Sequence, residues 1–245
     1  MRRALGALAD DDAVWAEAFE HRFTSGELAD HALGNLVLLG LTEVLDGDFT
    51  AALAEAGRLL DAVGTVVPAT TDPVGLRAEI DTGPVETNGA VVEGQVAVST
   101  APGRIRSVEL VPANPTACPD AVRAVDEADQ IVLAPGSLYT SVLPVVVVPK
   151  IADAVRGAEG VVVQVANLSP QIPETEGLGL ADHLRAVLDH GARVDRFLYD
   201  PAGTLAPDDD AVRALGADPV AAPVARPHGR AHDPERLAEA LRRLC

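Results

Sequence analysis

Seven consecutive residues, Pro135-Gly136-Ser137-Leu138-Tyr139-Thr140-Ser141, combine a glycine with the hydroxyls of Ser137, Thr140 and Ser141. Gly136 lets the backbone approach a ligand closely, and hydroxyls beside backbone amides suit a phosphate. No Gly-Lys-Ser/Thr follows, so the segment is not a Walker motif. The plain alternative is a strand-to-helix turn that uses small residues for geometry alone.

A second segment runs Asn167-Leu168-Ser169-Pro170-Gln171-Ile172-Pro173-Glu174-Thr175. The amides of Asn167 and Gln171 can read the polar edge of a base or sugar, and Glu174 can accept from ribose hydroxyls. Here the alternative is a solvated polar loop with a local turn at Thr175. A third candidate is Gly34-Asn35 in His31-Ala32-Leu33-Gly34-Asn35. Glycine inside a helix costs stability relative to alanine, so either close helix packing or ligand approach must explain Gly34.

The remaining chemistry-bearing residues are sparse. His21, His31 and His183 do not stand at metal-ligand spacings, and His228 and His232 fall in a Pro/Arg-rich tail that reads as solvated. Cys118 and Cys245 belong to no CxxC or Cys/His cluster. No Gly-x-Ser-x-Gly elbow is present and Ser137 has no evident base, so no catalytic residue and no metal are assigned.

These segments need a scaffold. The spacing predicts a helix capped by Asp10 to Asp12 with Val14, Ala18 and Phe19 on its apolar face, and helices over 33–44 and 48–63, with Asp48 as a cap and Gly64 as a stop. The 33–44 helix is apolar on most sides and is expected to be central. Short β-branched runs at 66–67, 76–81, 91–99 and 105–111 predict an antiparallel hairpin lobe. Beyond Pro119, strands at 130–134, 161–166 and 194–199 alternate with helices at 120–128, 144–157 and 181–190. That rhythm predicts an α/β fold with a parallel sheet covered on both faces. Helices at 208–216 and 233–244 flank the short run 220–225. The whole, 1–245, reads as one domain: a helical region over 1–64, a hairpin lobe over 65–112, a parallel α/β region over 113–200 and a helical tail over 201–245.

Composition narrows the function classes. A formal charge of −18 and a single lysine, Lys150, argue against a nucleic-acid partner, because a phosphate backbone is held by clustered bases. The Met1-Arg2-Arg3 start leads into a short apolar stretch that ends at Asp10-Asp11-Asp12, which does not fit a signal peptide. The longest apolar run, 142–148, is broken by Pro144 and far too short to span a membrane. A cytoplasmic location is expected, and a homo-oligomer is compatible with everything above.

Four stretches carry a resemblance: HRFTSGELADHALGNLVL, GDF with its following Ala/Leu helix, ADQIVLAPGSLYTSVLP, and NLSPQIPETEGLGLADHLRAVLDHG. In this order and spacing they resemble the gluconeogenesis factor family of the YvcK type, relatives of the 2-phospho-L-lactate transferases, over about residues 1–200. The resemblance implies a Rossmann-like fold of the CofD kind that binds a UDP-sugar or an NAD-like nucleotide. It also implies a cytoplasmic role in cell shape and in growth on gluconeogenic carbon sources. Carried over residue by residue, it implies ligand contacts at Gly34, Asn35, Gly136, Ser137, Leu138, Tyr139, Thr140, Ser141, Asn167, Gln171, Glu174 and Thr175. Ala134, Val145, Pro170 and Pro173 depart from the family pattern, and the two prolines remove amide donors.

Family members open with a strand, a GGGTG-like phosphate loop and an ADDGGSSG-like segment, none of which appears here. On the resemblance, Met1 is expected to be an internal codon of a longer frame or the start of a truncated gene, and the missing strand would leave a central sheet edge exposed and the nucleotide site half built. Three function classes follow: a non-catalytic nucleotide-sugar-binding regulator, a transferase-type enzyme, or a structural partner protein that acts by surface contacts and takes no ligand. The transferase reading requires a carboxylate near PGSLYTS able to hold Mg²⁺.

Overall fold

The computed structural model describes residues 1–9, 14–81 and 89–245. They form two compact units, Met1–Thr71 and Asp72–Cys245. The expected cap at Asp10 to Asp12 lies outside the described residues.

The first unit holds four helices: α1 (Arg2–Leu8), α2 (Val14–Glu20), α3 (Leu33–Val44) and α4 (Phe49–Leu59). Leu5, Phe19, Leu38, Leu53, Ala56 and Leu60 meet in its core. The short apolar stretch after Met1 is thus a helix that buries Leu5. α3 has the expected bounds but is not buried all round, since Leu39 and Val44 are 58% and 79% exposed. Asp48 caps α4 by accepting from the Ala51 amide at 2.9 Å. The helix ends at Leu59 rather than near 63, because Asp61 turns left-handed at φ 47°. Residues 66–67 form no strand.

In the second unit, β1 (Gly75–Asp81), β2 (Ala90–Glu93) and β3 (Arg104–Val111) form an antiparallel sheet in the order β2-β1-β3. The expected strand at 91–99 stops at Glu93. Gly94, at φ +97°, breaks the extended run, and α5 (Gln95–Thr100) follows.

After α6 (Pro119–Asp126), four parallel strands run in the order β4-β5-β6-β7: Gln130–Leu133, Val161–Val165, Arg196–Tyr199 and Asp218–Ala221. β5 is central and nearly continuous in its burial, whereas β4 is an edge strand whose Val132 is 37% exposed. β7 goes beyond the sequence expectation: its Asp-Pro-Val-Ala sequence lacks a β-branched run, and only its register on β6 (Phe197↔Pro219, Leu198↔Val220) makes it a strand. Pro219 donates no hydrogen bond and is tolerated at this edge.

Side chains alternate across the sheet. Val163, Val165 and Leu198 pack against Leu237, Leu241 and Leu244 of the C-terminal segment, which contains α11 (Pro234–Arg242). Gln164 lies in the opposite phase and reaches α9 (Leu180–Asp189). The helix expected over 144–157 is two. A π-helical turn (Leu138–Val142) runs into α7 (Leu143–Val146), and α8 (Pro149–Gly157) leaves at 76°. Pro149 has no amide to donate and pushes Val148 to ψ 115°, which breaks the helix there. α10 (Asp209–Ala214) completes the unit. Among the described residues no single helix is long and apolar enough to cross a membrane.

Candidate functional site

The loops that leave the carboxyl ends of β4, β5 and β7 converge, which is where ligands bind in open parallel sheets. They enclose a cleft of about 280 Å³ lined by Pro135, Gly136, Asn167, Gln171, Arg230 and His232.

Asn167 holds the two nearest loops together. Its Oδ1 accepts from the Gly136 amide at 3.1 Å, and its Nδ2 donates to the Gly136 carbonyl at 2.9 Å. Both halves of the amide are therefore committed to the backbone of one glycine. The side chain forms a wall of the cleft, with one N–H and one lone pair committed to the clamp.

Glu174 is 6% exposed and reaches the same segment. Its Oε1 accepts from the amides of Tyr139 (2.7 Å) and Thr140 (3.3 Å), and its Oε2 from the Thr140 hydroxyl (3.1 Å). A carboxylate so placed satisfies donors that a helix start leaves unpaired. Ser137 contributes its carbonyl, which accepts from the Ser141 and Val142 amides at 2.9 and 3.0 Å. The Gln95 side chain donates to the Thr140 carbonyl at 3.0 Å. The wide turn at 138–142 is thus fixed from several directions, and π turns of this kind often mark functional positions.

These hydrogen bonds change the role expected of several residues. The amides of Gly136, Tyr139, Thr140 and Ser141 already have protein acceptors. Leu138, Tyr139 and Thr140 are buried, so they brace the turn from inside. Burial pushes the Tyr139 phenol up from its ordinary value. Thr175 is fully buried; its hydroxyl accepts from the Gln171 amide at 2.8 Å and ties its own loop. Glu174 braces the turn. Gly136, Asn167 and Gln171 do line the cleft. Ser137 is half-buried, and Ser141, four residues on, is exposed.

Gly34 and Asn35 lie in the first unit, on α3. A Cβ on Gly34 would stand 2.6 Å from the Phe19 carbonyl oxygen, so close packing of α3 on Phe19 accounts for this glycine. Asn35 is exposed.

The tail supplies residues that the sequence reading did not include. Asp200, at the end of β6, is 8% exposed. It accepts from the Ala202 amide at 2.8 Å and the Ala225 amide at 2.7 Å, which fixes the chain after β7. Residues 225–232 then double back as a tight hairpin. Arg226 donates its amide to Ala231, Gly229 turns at φ +67°, and Ala225 bridges His232. Arg230 is thereby set on the cleft.

His232 is not a solvated tail residue. Burial lowers its pKa, and a hydrogen bond to the Ala166 backbone acts the other way. Nε2 of His232 and Oε1 of Gln171 are both buried without a protein partner. The cleft thus offers a guanidinium, and beside it lie two buried polar atoms without a protein partner. The Arg/His density of 226–232 in a chain this acidic was the sequence signal for it. Among the described residues no group of three or more His, Cys, Asp or Glu side chains could hold a metal ion.

With this geometry established, the likeness to known proteins is informative. The family model for 2-phospho-L-lactate transferase CofD matches residues 1–222. A Mycobacterium tuberculosis relative bearing the gluconeogenesis-factor name is 39% identical over 259 residues, covering 100% of this chain and 75% of its own. The gluconeogenesis factor of Bacillus subtilis is 37% identical over 191 residues, 78% of this chain and 58% of that protein. A crystal structure of a UPF0052 family member from Bacillus halodurans superposes with a TM-score of 0.90 at 30% identity, covering 98% of this chain and 81% of that one. Fold, motif order and sequence agree, and the chain belongs to the CofD family, alongside relatives named as gluconeogenesis factors.

Proposed function

We propose that this protein binds a nucleotide sugar of the UDP type in the cleft at the carboxyl ends of β4, β5 and β7, and acts as a regulator. Its setting is the cytoplasm, in cell shape and in growth on gluconeogenic carbon sources. The observation that carries this reading is the cleft itself. Arg230 offers a charge-assisted contact to a phosphate, and Gln171 Oε1 and His232 Nε2 are buried atoms that need hydrogen-bond partners. A phosphorylated ligand rich in hydroxyl and N–H donors matches that set. An NAD-like nucleotide shares the phosphate and ribose chemistry and is the natural competitor.

The transferase reading asks for a carboxylate near the PGSLYTS turn that is free to hold a metal ion. Glu174 is the carboxylate in place, and its oxygens are engaged by Tyr139 and Thr140. A regulator needs no such group.

The test is calorimetric titration of the purified chain with UDP-N-acetylglucosamine, UDP-glucose and NAD, alongside Arg230→Ala. Saturable binding of a UDP-sugar that Arg230→Ala weakens supports the reading. Binding of NAD alone reassigns the ligand, and absence of binding by folded protein sinks the proposal for this chain.

A further inference from the structure

Beneath the Gly136–Asn167 clamp lies a second, much smaller cavity of about 10 Å³, whose walls include Gly136, Asn167, Leu138, Val142, Gln164 and His183. It shares Gly136 and Asn167 with the cleft, so the clamp is the partition between the two. Gln164 is 4% exposed and His183 2%. Gln164 is a polar residue inside the Val-Val-Val-Gln-Val run of β5, where an apolar side chain would be expected.

Hydrogen-bond logic fixes what each residue presents to this cavity. His183 Nδ1 lies 2.9 Å from the Gly179 carbonyl oxygen, which can only accept, so Nδ1 carries the proton. Burial lowers the His183 pKa and keeps the ring neutral. Nε2 then carries a lone pair. Gln164 Nε2 faces the His183 carbonyl oxygen at 3.5 Å; turning the amide over would set two oxygens against each other. Oε1 is therefore the other free atom. Neither Gln164 Oε1 nor His183 Nε2 has a protein hydrogen-bond partner.

Two buried acceptors with no protein donor, on residues that line one small cavity, are matched by a small group that donates twice. The cavity volume admits about one water molecule and excludes larger groups. We propose that Gln164 and His183 hold one buried water under the Gly136–Asn167 clamp, and that this trio positions the clamp for the cleft. The water ties β5 to α9 at the level where Asn167 leaves the strand. Gln164 and His183 are positioning residues, and their role stands independently of which ligand the cleft takes.

The test uses the full chain without ligand. Nitrogen-15 NMR of the histidine rings is expected to show His183 neutral, protonated on Nδ1, with Nε2 shifted as a hydrogen-bond acceptor and in cross-relaxation with water. A high-resolution crystal structure is expected to show one water within about 3.2 Å of both acceptors. In Gln164→Leu the Nε2 signal should move toward that of an unbonded acceptor while the Nδ1 proton stays. The Gly136 amide, held by Asn167, should then exchange with solvent about tenfold faster, corresponding to about 1.4 kcal/mol. A proton on Nε2, an imidazolium, or no water density at the pair would overturn the proposal. So would an unchanged Nε2 signal and Gly136 exchange rate in Gln164→Leu. The wild-type measurements decide the matter alone should that variant fail to fold, and none of them depends on nucleotide binding.

Discussion

Glu174 Oε1 accepts the Tyr139 amide at 2.7 Å across 35 residues of chain, placing a buried carboxylate at the start of the π turn that follows β4. A residue that reads in sequence as a ligand contact is thus the brace of the neighbouring loop. Glu174→Ala leaves two amides and a hydroxyl without an acceptor in a buried place. It should destabilise the protein by about 3 kcal/mol and lower the melting temperature by roughly 6–12 °C. Glu174→Gln keeps an acceptor for the amides and should lose less than half as much. Thermal and urea denaturation of the two variants measure the difference.

Arg230 has a different dependence. It is exposed on a hairpin whose fold relies on Asp200 and Gly229, so its side chain can be removed without disturbing the backbone. Arg230→Ala should leave the melting temperature within about 1 °C. A lost charge-assisted phosphate contact should weaken UDP-sugar binding roughly 10–100-fold. Affinity that is unchanged in the variant would remove the guanidinium from the site.

Acid should destabilise the protein through the buried His183 and the half-buried His232. Burial depresses the folded pKa of both His183 and His232 below the ordinary 6.5. Below about pH 6.5 the unfolded chain therefore binds more protons than the folded one. The stability each histidine contributes is complete above that pH and is lost as the pH falls through the depressed folded values. Melting temperatures measured from pH 8 to pH 5 should fall over this window, and His232→Gln should flatten the decline.

Gly34 separates packing from binding in the first unit. Its missing Cβ would meet the Phe19 carbonyl at 2.6 Å, so Gly34→Ala must push α3 away from α2. The expected cost is about 1–3 kcal/mol, as for other overpacked contacts. Denaturation of the variant checks this; undiminished stability would restore Gly34 as a candidate ligand contact.

Periodicity and punctuation determined much of the scaffold. The α3 bounds, the Asp48 cap, β5 and the alternation of strands with helices after Pro119 are local in origin: an amphipathic repeat, a side chain that reaches its own helix, and Val runs that suit a sheet interior. The PGSLYTS and NLSPQ segments were likewise legible as loops at strand ends, and both contribute residues to the cleft. Tertiary structure alone decided how those residues divide their labour. Whether an amide or a carboxylate is free for a ligand depends on acceptors and donors brought from 31 or 35 residues away, and no spacing rule encodes the Asn167 clamp or the Glu174 brace. The same holds for β7, whose Asp-Pro-Val-Ala becomes a strand only through pairing with β6, and for His232. A tail that reads as solvated is folded back by Asp200, because a buried carboxylate takes whichever backbone donor the fold delivers to it.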